Sequence, residues 1–191
     1  MSTTLAATRE LDGVTLPVAG AWAIDPGHAD VAFVGRHFML TKVRGRFTDV
    51  AGTVHIAEQP SDSRLDVVIG MASVNSGDDT RDNHLRSDEL FDVERYPQAT
   101  FRSVAVDWHG RRGTVNGDLT IHGVTRRVPL EVIFEGHARD PWGNDRAVFS
   151  ARTQVNREDF GLTWNMVLEA GGLLVSREIS IELDIEAILQ R

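Results

Sequence analysis

Towards the C-terminus the chain alternates between apolar and polar residues. Val175, Ile179, Ile181, Leu183 and Ile185 fall on one side, and Ser176, Glu178, Ser180, Glu182, Asp184 and Glu186 on the other. A period of two belongs to an extended strand with one dry face and one wet face. Arg177 is the only break, a charge on the dry side near the strand start. A strand of this kind needs partners on both edges and a cover for its dry face. The alternation therefore constrains the whole fold.

It recurs along the chain. Leu65, Val67, Ile69 and Met71 share a face, as do Val115, Leu119 and Ile121 around Gly117. Val128, Leu130, Val132 and Phe134 form another set, and Phe149, Ala151, Thr153 and Val155 a further one. Two earlier segments, DVAFVGRHF with Phe33 and His37, and VRGRFTDVAGTVHI, are rich in Val, Phe and Gly. Turn signals divide these runs at 109–113, 122–126 and 140–145. The count is roughly eight strands, and most connections are short, so neighbours pair antiparallel. Only the stretch near 78–92 has room for a helix. A sandwich would cover the dry faces, but a closed barrel also removes the edges. Long strands with internal glycines, which permit bends and bulges, favour the barrel. The fold expected is all-β: a single eight-stranded antiparallel barrel with a short helical connection.

The chain has 191 residues, which suits one domain. Residues 1–20 are small, polar and aperiodic and read as a loose N-terminal arm, with the barrel domain over 21–191. The net charge of −8 argues against nucleic acid as a partner and against anionic membranes bound by charge alone. No cysteine is present, so disulfides and thiolate chemistry are excluded. The first residues lack the basic and apolar regions of a signal peptide, which points to the cytoplasm. No apolar run approaches the ~18 residues of a membrane span, so no membrane insertion is expected. An exposed strand edge or the arm could support a homodimer.

The most polar connection, RDNHLRSDELFDVERYPQATF at 81–101, joins two strands. Ser76, Asp78 and Asp79 can cap a short helix starting near Thr80. Arg81, His84 and Leu85 then share a helix face, while Leu90 and Phe91 can pin the segment to the barrel end. One reading makes this a polar lid with Arg81 or His84 beside a ligand head group. The other, which is favoured, makes it a plug whose charges pair and cap backbone ends. No Gly-x-Ser-x-Gly elbow or His-Glu-x-x-His pair occurs, so the chain does not read as an enzyme, and no metal or other cofactor is expected. His28, His37 and His84 could converge only in space. His28 is better explained by its own turn. His37 is the better candidate for a polar group facing the interior, although a satisfied strand histidine is the safer reading. Arg157 could hold a carboxylate from 81–92.

Several runs together carry a resemblance: WAIDPGHADVAF, KVRGRFTDVAGTV, MASVNSGDDTRDNHLRSDELFDVERYPQATFRS, VNGDLTIHGVTRRVPLEV, DPWGNDR and VNREDFGLTWN. In these the chain resembles the YceI-like domain family from about Trp22 to its end. The resemblance implies a lipocalin-like barrel with a long apolar tunnel that binds polyisoprenoid chains, isoprenoid quinones or similar amphiphiles, without catalysis. Asp30, where many members have Ser, is a small departure. Gly20-Ala21-Trp22 also spells the Gly-x-Trp that opens true lipocalins, a three-residue match that carries little weight.

An eight-stranded barrel is either filled by its own side chains or holds one small ligand. The two functional readings follow. The main one is a binder or carrier of a long apolar ligand such as an isoprenoid lipid or quinone. The alternative is a structural or partner-binding module with a filled interior. Alternation selects Val67, Ile69, Met71, Phe101, Leu119 and Ile121 as wall residues, followed by Leu130, Val132, Phe134, Phe149, Ile181 and Leu183. Phe33 and His37 join them from the earlier strand. Trp164 and Met166, in an irregular stretch, could complete the wall.

Overall fold

The computed structural model describes residues 7–38, 40–166 and 174–191. The described residues form twelve strands and one α-helix. In chain order they are β1 (Thr8–Leu11), β2 (Val14–Pro17), β3 (Gly20–His37), β4 (Thr41–Phe47), β5 (Val50–Ile56), β6 (Arg64–Gly70) and β7 (Val74–Asn75). Helix α1 (Asp79–Arg86) follows, then β8 (Gln98–His109), β9 (Arg112–Ile121), β10 (Val124–Arg139), β11 (Asp145–Asn156) and β12 (Glu178–Leu189).

Strands β3, β5, β6, β8, β9, β10, β11 and β12 pair antiparallel in that order, and β12 returns to β3. The seam runs from Ser180 opposite Val34 to Leu189 opposite Trp22, so the sheet has no free edge there. The barrel is the closed eight-stranded cylinder that the alternation calls for.

One of its eight staves is broken. β3 pairs with β5 through Gly20–Ala23 but with β4 through Val31–His37. β4 and β5 are thus one long strand interrupted at Thr48 and Asp49. β6 and β7 are interrupted alongside by a turn of 3₁₀ helix at Met71–Ser73. Ser73 stitches the two breaks. Its Oγ accepts from the Thr48 and Asp49 N–H groups at 3.1 and 3.0 Å and donates to the Gly70 carbonyl at 2.6 Å. A strand that leaves its ladder must place its backbone groups elsewhere, and this hydroxyl takes three of them.

The ends of the barrel differ. At one end lie the β8–β9 and β10–β11 turns and the β1–β2 hairpin. The hairpin corrects the expected loose arm for residues 7–20; residues 1–6 of that arm lie outside the described residues. Asp12 and Gly13 both have positive φ, 51° and 75°, which is the two-residue turn of a tight hairpin. Ala7 and Leu16 are buried with Trp22, Phe134, Ala147 and Ala187. Trp22 is wholly buried, and its indole N–H donates to the Val18 carbonyl at 3.1 Å. The apolar side of the hairpin thus plugs this end.

Arg146 ties the same end together. It contacts Asp25, Asp140 and Glu186 at 2.6, 2.9 and 3.0 Å, joining β3, β11, β12 and the β10–β11 turn. The Arg146 guanidinium holds Asp25 well below the usual carboxylate range, at about 2, against an upward push from burial. Burial also raises Asp140. The Asn144 amide and backbone N–H, Arg146 and the Trp142 N–H outweigh it and bring Asp140 to about 2.

Candidate functional site

The other end is hollow. A cavity of about 750 Å³ occupies this half of the barrel, within the range of small-molecule sites. Its wall is built by the inward residues of the alternating strands. Phe33, Val67, Ile69, Met71, Phe101 and Leu119 face it, as do Ile121, Leu130, Ile181 and Leu183. A second cavity of about 120 Å³ lies towards the plugged end and includes Val132 and Phe149. Leu65, Val67, Leu130 and Leu183 border both, forming a waist between a roomy chamber and a tight one.

Two expected wall residues lie elsewhere. Phe134 borders neither cavity; it is buried with Trp22 in the plug and packs on Phe149 at 5.5 Å between centroids. A bulge between Phe134 and Gly136 shifts the register beyond it. Met166 is 55% exposed and borders neither cavity. Alternation does not extend into its irregular segment, so no pleat points it inward.

At the mouth stand His37, Trp164, Arg81 and His84, all bordering the large cavity. The cavity reaches the surface beside exposed Asp78 and Thr80. Asp78 caps α1, its Oδ1 accepting from the Arg81 N–H at 2.8 Å. Leu85, Leu90 and Phe91 hang from this segment into the cavity. The charges around them are engaged. Arg81 donates to the Ser76 hydroxyl and carbonyl at 2.7 and 3.1 Å, and buried Asp82 accepts from the Ser76 N–H at 2.8 Å. Arg86 donates to the Ala72 and Val74 carbonyls at 2.9 and 2.7 Å. His84 meets Glu89 at 2.9 Å and sets its ring edge-on to Trp164, 4.3 Å between centroids. The polar stretch is therefore a tied-down roof, and it is the apolar faces of Leu85, Leu90 and Phe91 that meet the interior.

Arg157 also borders the cavity, but not as a partner of the 81–92 carboxylates. It is buried, and donates to the carbonyls of Ser176, at 3.0 Å, and of Leu162. It fastens the loop after β11 to the approach of β12. Burial pushes its guanidinium down from the ordinary value; Glu158 opposes this and Arg177 adds to it. Among the described residues its Nη2 has no hydrogen-bond partner. A buried guanidinium spent on carbonyls leaves no signature in the sequence beyond the NRED turn itself. Phe47, Phe160 and Leu162 of the wall were also missed, because they sit at a strand break, in a 3₁₀ turn and just after it, where period two fails. His28 contacts Asp25 at 2.9 Å within β3 rather than in a turn. Among the described residues no group of three or more His, Asp or Glu is placed to hold a metal ion.

A closed antiparallel barrel, stoppered at one end and holding an apolar chamber at the other, defines the class of lipocalin-like β-barrels. The chain belongs to the YceI-like domain family, whose model matches residues 22–187. Protein YceI of Salmonella newport is 35% identical over 177 residues, covering 91% of this chain and 90% of that protein. The YCEI protein of Campylobacter jejuni is 29% identical with a TM-score of 0.70, over 82% of this chain and 90% of that one. A polyisoprenoid binding domain from Saccharophagus degradans shares the fold, with a TM-score of 0.65 at 19% identity over 91% of this chain and all of that one.

Proposed function

We propose that the chain binds a long, thin apolar molecule of the polyisoprenoid type, an isoprenoid lipid or quinone, with its hydrocarbon in the chamber and its polar end at the mouth. The observation that carries this is the 750 Å³ cavity itself, walled by Val, Leu, Ile and Phe from the inner face of the sheet. Each CH₂ taken from water into such a space contributes roughly 0.8 kcal/mol, so a chain can be held without directed bonds. The binding of polyisoprenoid by the Saccharophagus degradans domain of the same fold supports the ligand class. The groups a head-group reaction would call on, Arg81, Asp82 and His84, are occupied in holding the roof, which favours binding over catalysis.

Organic extraction of the purified protein followed by mass spectrometry tests the proposal. A long-chain lipid is expected, or stoichiometric uptake of an offered polyprenyl alcohol or quinone. Repeated absence of both would overturn it.

A further inference from the structure

The β3–β4 hairpin rises beside the chamber mouth and differs in charge from the rest of the molecule. The chain carries −8 overall, yet residues 31–48 contain no Asp or Glu and do contain Arg36, His37, Lys42, Arg44 and Arg46. The pleat puts Arg36, Lys42, Arg44 and Arg46 on the outer face, all exposed. Arg36 stands directly opposite Lys42 in the ladder. Like charges so placed are destabilising. Arg44 is answered by Glu182 at 2.6 Å, but among the described residues Arg36, Lys42 and Arg46 form no ion pair. Of the acids on adjoining elements, Glu178 binds Gln154 and Asp78 caps α1, while Asp30, Asp184 and exposed Asp49 lie beyond the end of the hairpin away from its tip, so the face over 36–46 is positive.

The tip of the same hairpin is apolar. Phe38 is 48% and Leu40 80% exposed, and Met166 is 55% exposed on a neighbouring segment. The Phe38 N–H donates to the Leu174 carbonyl at 2.9 Å, and the Leu174 N–H to the Met166 carbonyl at 3.0 Å. Leu174 borders the cavity, so the exposed apolar residues lie on the rim of the mouth. An apolar point backed by cations is the arrangement that suits a bilayer surface with anionic headgroups.

We propose that this hairpin docks the barrel on an anionic lipid bilayer, with Phe38, Leu40 and Met166 entering the interface and Arg36, Lys42 and Arg46 facing the headgroup phosphates. The net charge does not forbid it. Screening acts over about 8 Å at physiological salt, so the acids at the plugged end, several such lengths away along the strands, do not oppose it. In the roof beside the mouth Asp78 caps α1, Asp82 binds Ser76 and Glu89 meets His84, which leaves exposed Asp79 and Asp88 as the opposing charges there. The mouth then faces the phase in which a polyisoprenoid dissolves. The purpose rests on the proposed function; the docking itself rests on charge and exposure alone.

Flotation with vesicles of phosphatidylcholine and phosphatidylglycerol at 7:3, against phosphatidylcholine alone, tests the docking. At 50 mM NaCl the protein is expected to float with the anionic vesicles. Binding should be at least tenfold weaker with the neutral vesicles or at 500 mM NaCl. A Lys42→Glu, Arg46→Glu double variant should abolish flotation and Leu40→Asp should weaken it, with unchanged thermal midpoints, since these side chains are exposed. Absence of flotation with anionic vesicles, or flotation indifferent to the double charge reversal, would overturn the proposal. So would vesicle-free self-association in sedimentation that Leu40→Asp removes, which would assign the surface to a second copy. An apolar fluorophore delivered in ethanol separates this proposal from the carrier reading. Flotation without fluorophore uptake sinks the carrier and leaves the docking supported.

Discussion

The outer edge of the Phe33 ring occupies the space in which a side chain at Gly45 would stand, directly across the β3–β4 ladder. Phe33 also touches Phe47, 5.5 Å between centroids, and its free side borders the chamber. A methyl group at 45 has one way to be accommodated: the ring swings into the hollow. Gly45→Ala is therefore expected to keep the fold, cost about 1–3 kcal/mol of stability, and weaken the uptake of a long apolar ligand. Thermal melting and ligand titration check the two halves separately. Gly117, whose missing side chain is replaced by the Phe101 ring, should respond alike.

Ile121 is only half-buried although it points inward, because it faces the chamber. An Ile121→Trp substitution has room for its larger ring. We expect ligand uptake to fall at least tenfold while the denaturation midpoint barely moves. A barrel whose centre was occupied would instead lose about 1–3 kcal/mol through overpacking. Urea unfolding beside a binding titration distinguishes the two.

Acid should loosen the plugged end first. Asp25 and Asp140 both sit at about 2 in the folded protein, below their ordinary 3.8. The unfolded chain then binds protons more readily than the folded one between those values. The stability they supply is complete above about pH 5 and drains away as pH falls through 3.8 towards 2. Asp25, with only 18% of its side chain exposed, accounts for on the order of 2 kcal/mol. Urea unfolding at pH 7, 4 and 2.5 should show the loss, and Asp25→Asn should flatten its pH dependence.

The β1–β2 hairpin contributes stability. Leu16 is 5% exposed beside wholly buried Trp22. Leu16→Ala is expected to lower stability by about 2–3 kcal/mol through the cavity it leaves. A loose arm would show no change. Thermal melting followed by tryptophan fluorescence measures it.

The barrel was legible because period two is a direct print of a sheet with one buried face, and residues such as Leu119, Ile121, Ile181 and Leu183 point where that period puts them. Asp78 as the cap of α1 was legible for a similar reason, since the cap is local chemistry. What escaped lies where the period breaks. The interruption at Thr48–Asp49 depends on a serine 24 residues away, and the bond from Arg157 to Ser176 spans 19 residues. No local pattern encodes such pairs. The hairpin at 8–17 was different. Its Asp12-Gly13 dipeptide is the strongest short signal for a two-residue turn, and the weak alternation of its short strands masked it. The glycines read as hinges proved in two cases to be floors for aromatic rings, a relation between strands that composition does not carry.

Trp22 and the β1–β2 hairpin fill the end of the barrel that lies away from the mouth of the large chamber. A guest of the proposed kind, with its tail in the large chamber, keeps its head at the threshold framed by Trp164, His84 and His37. Selection among guests then falls to two separate rulers: the depth of the blind passage measures the tail, and the doorway inspects the head.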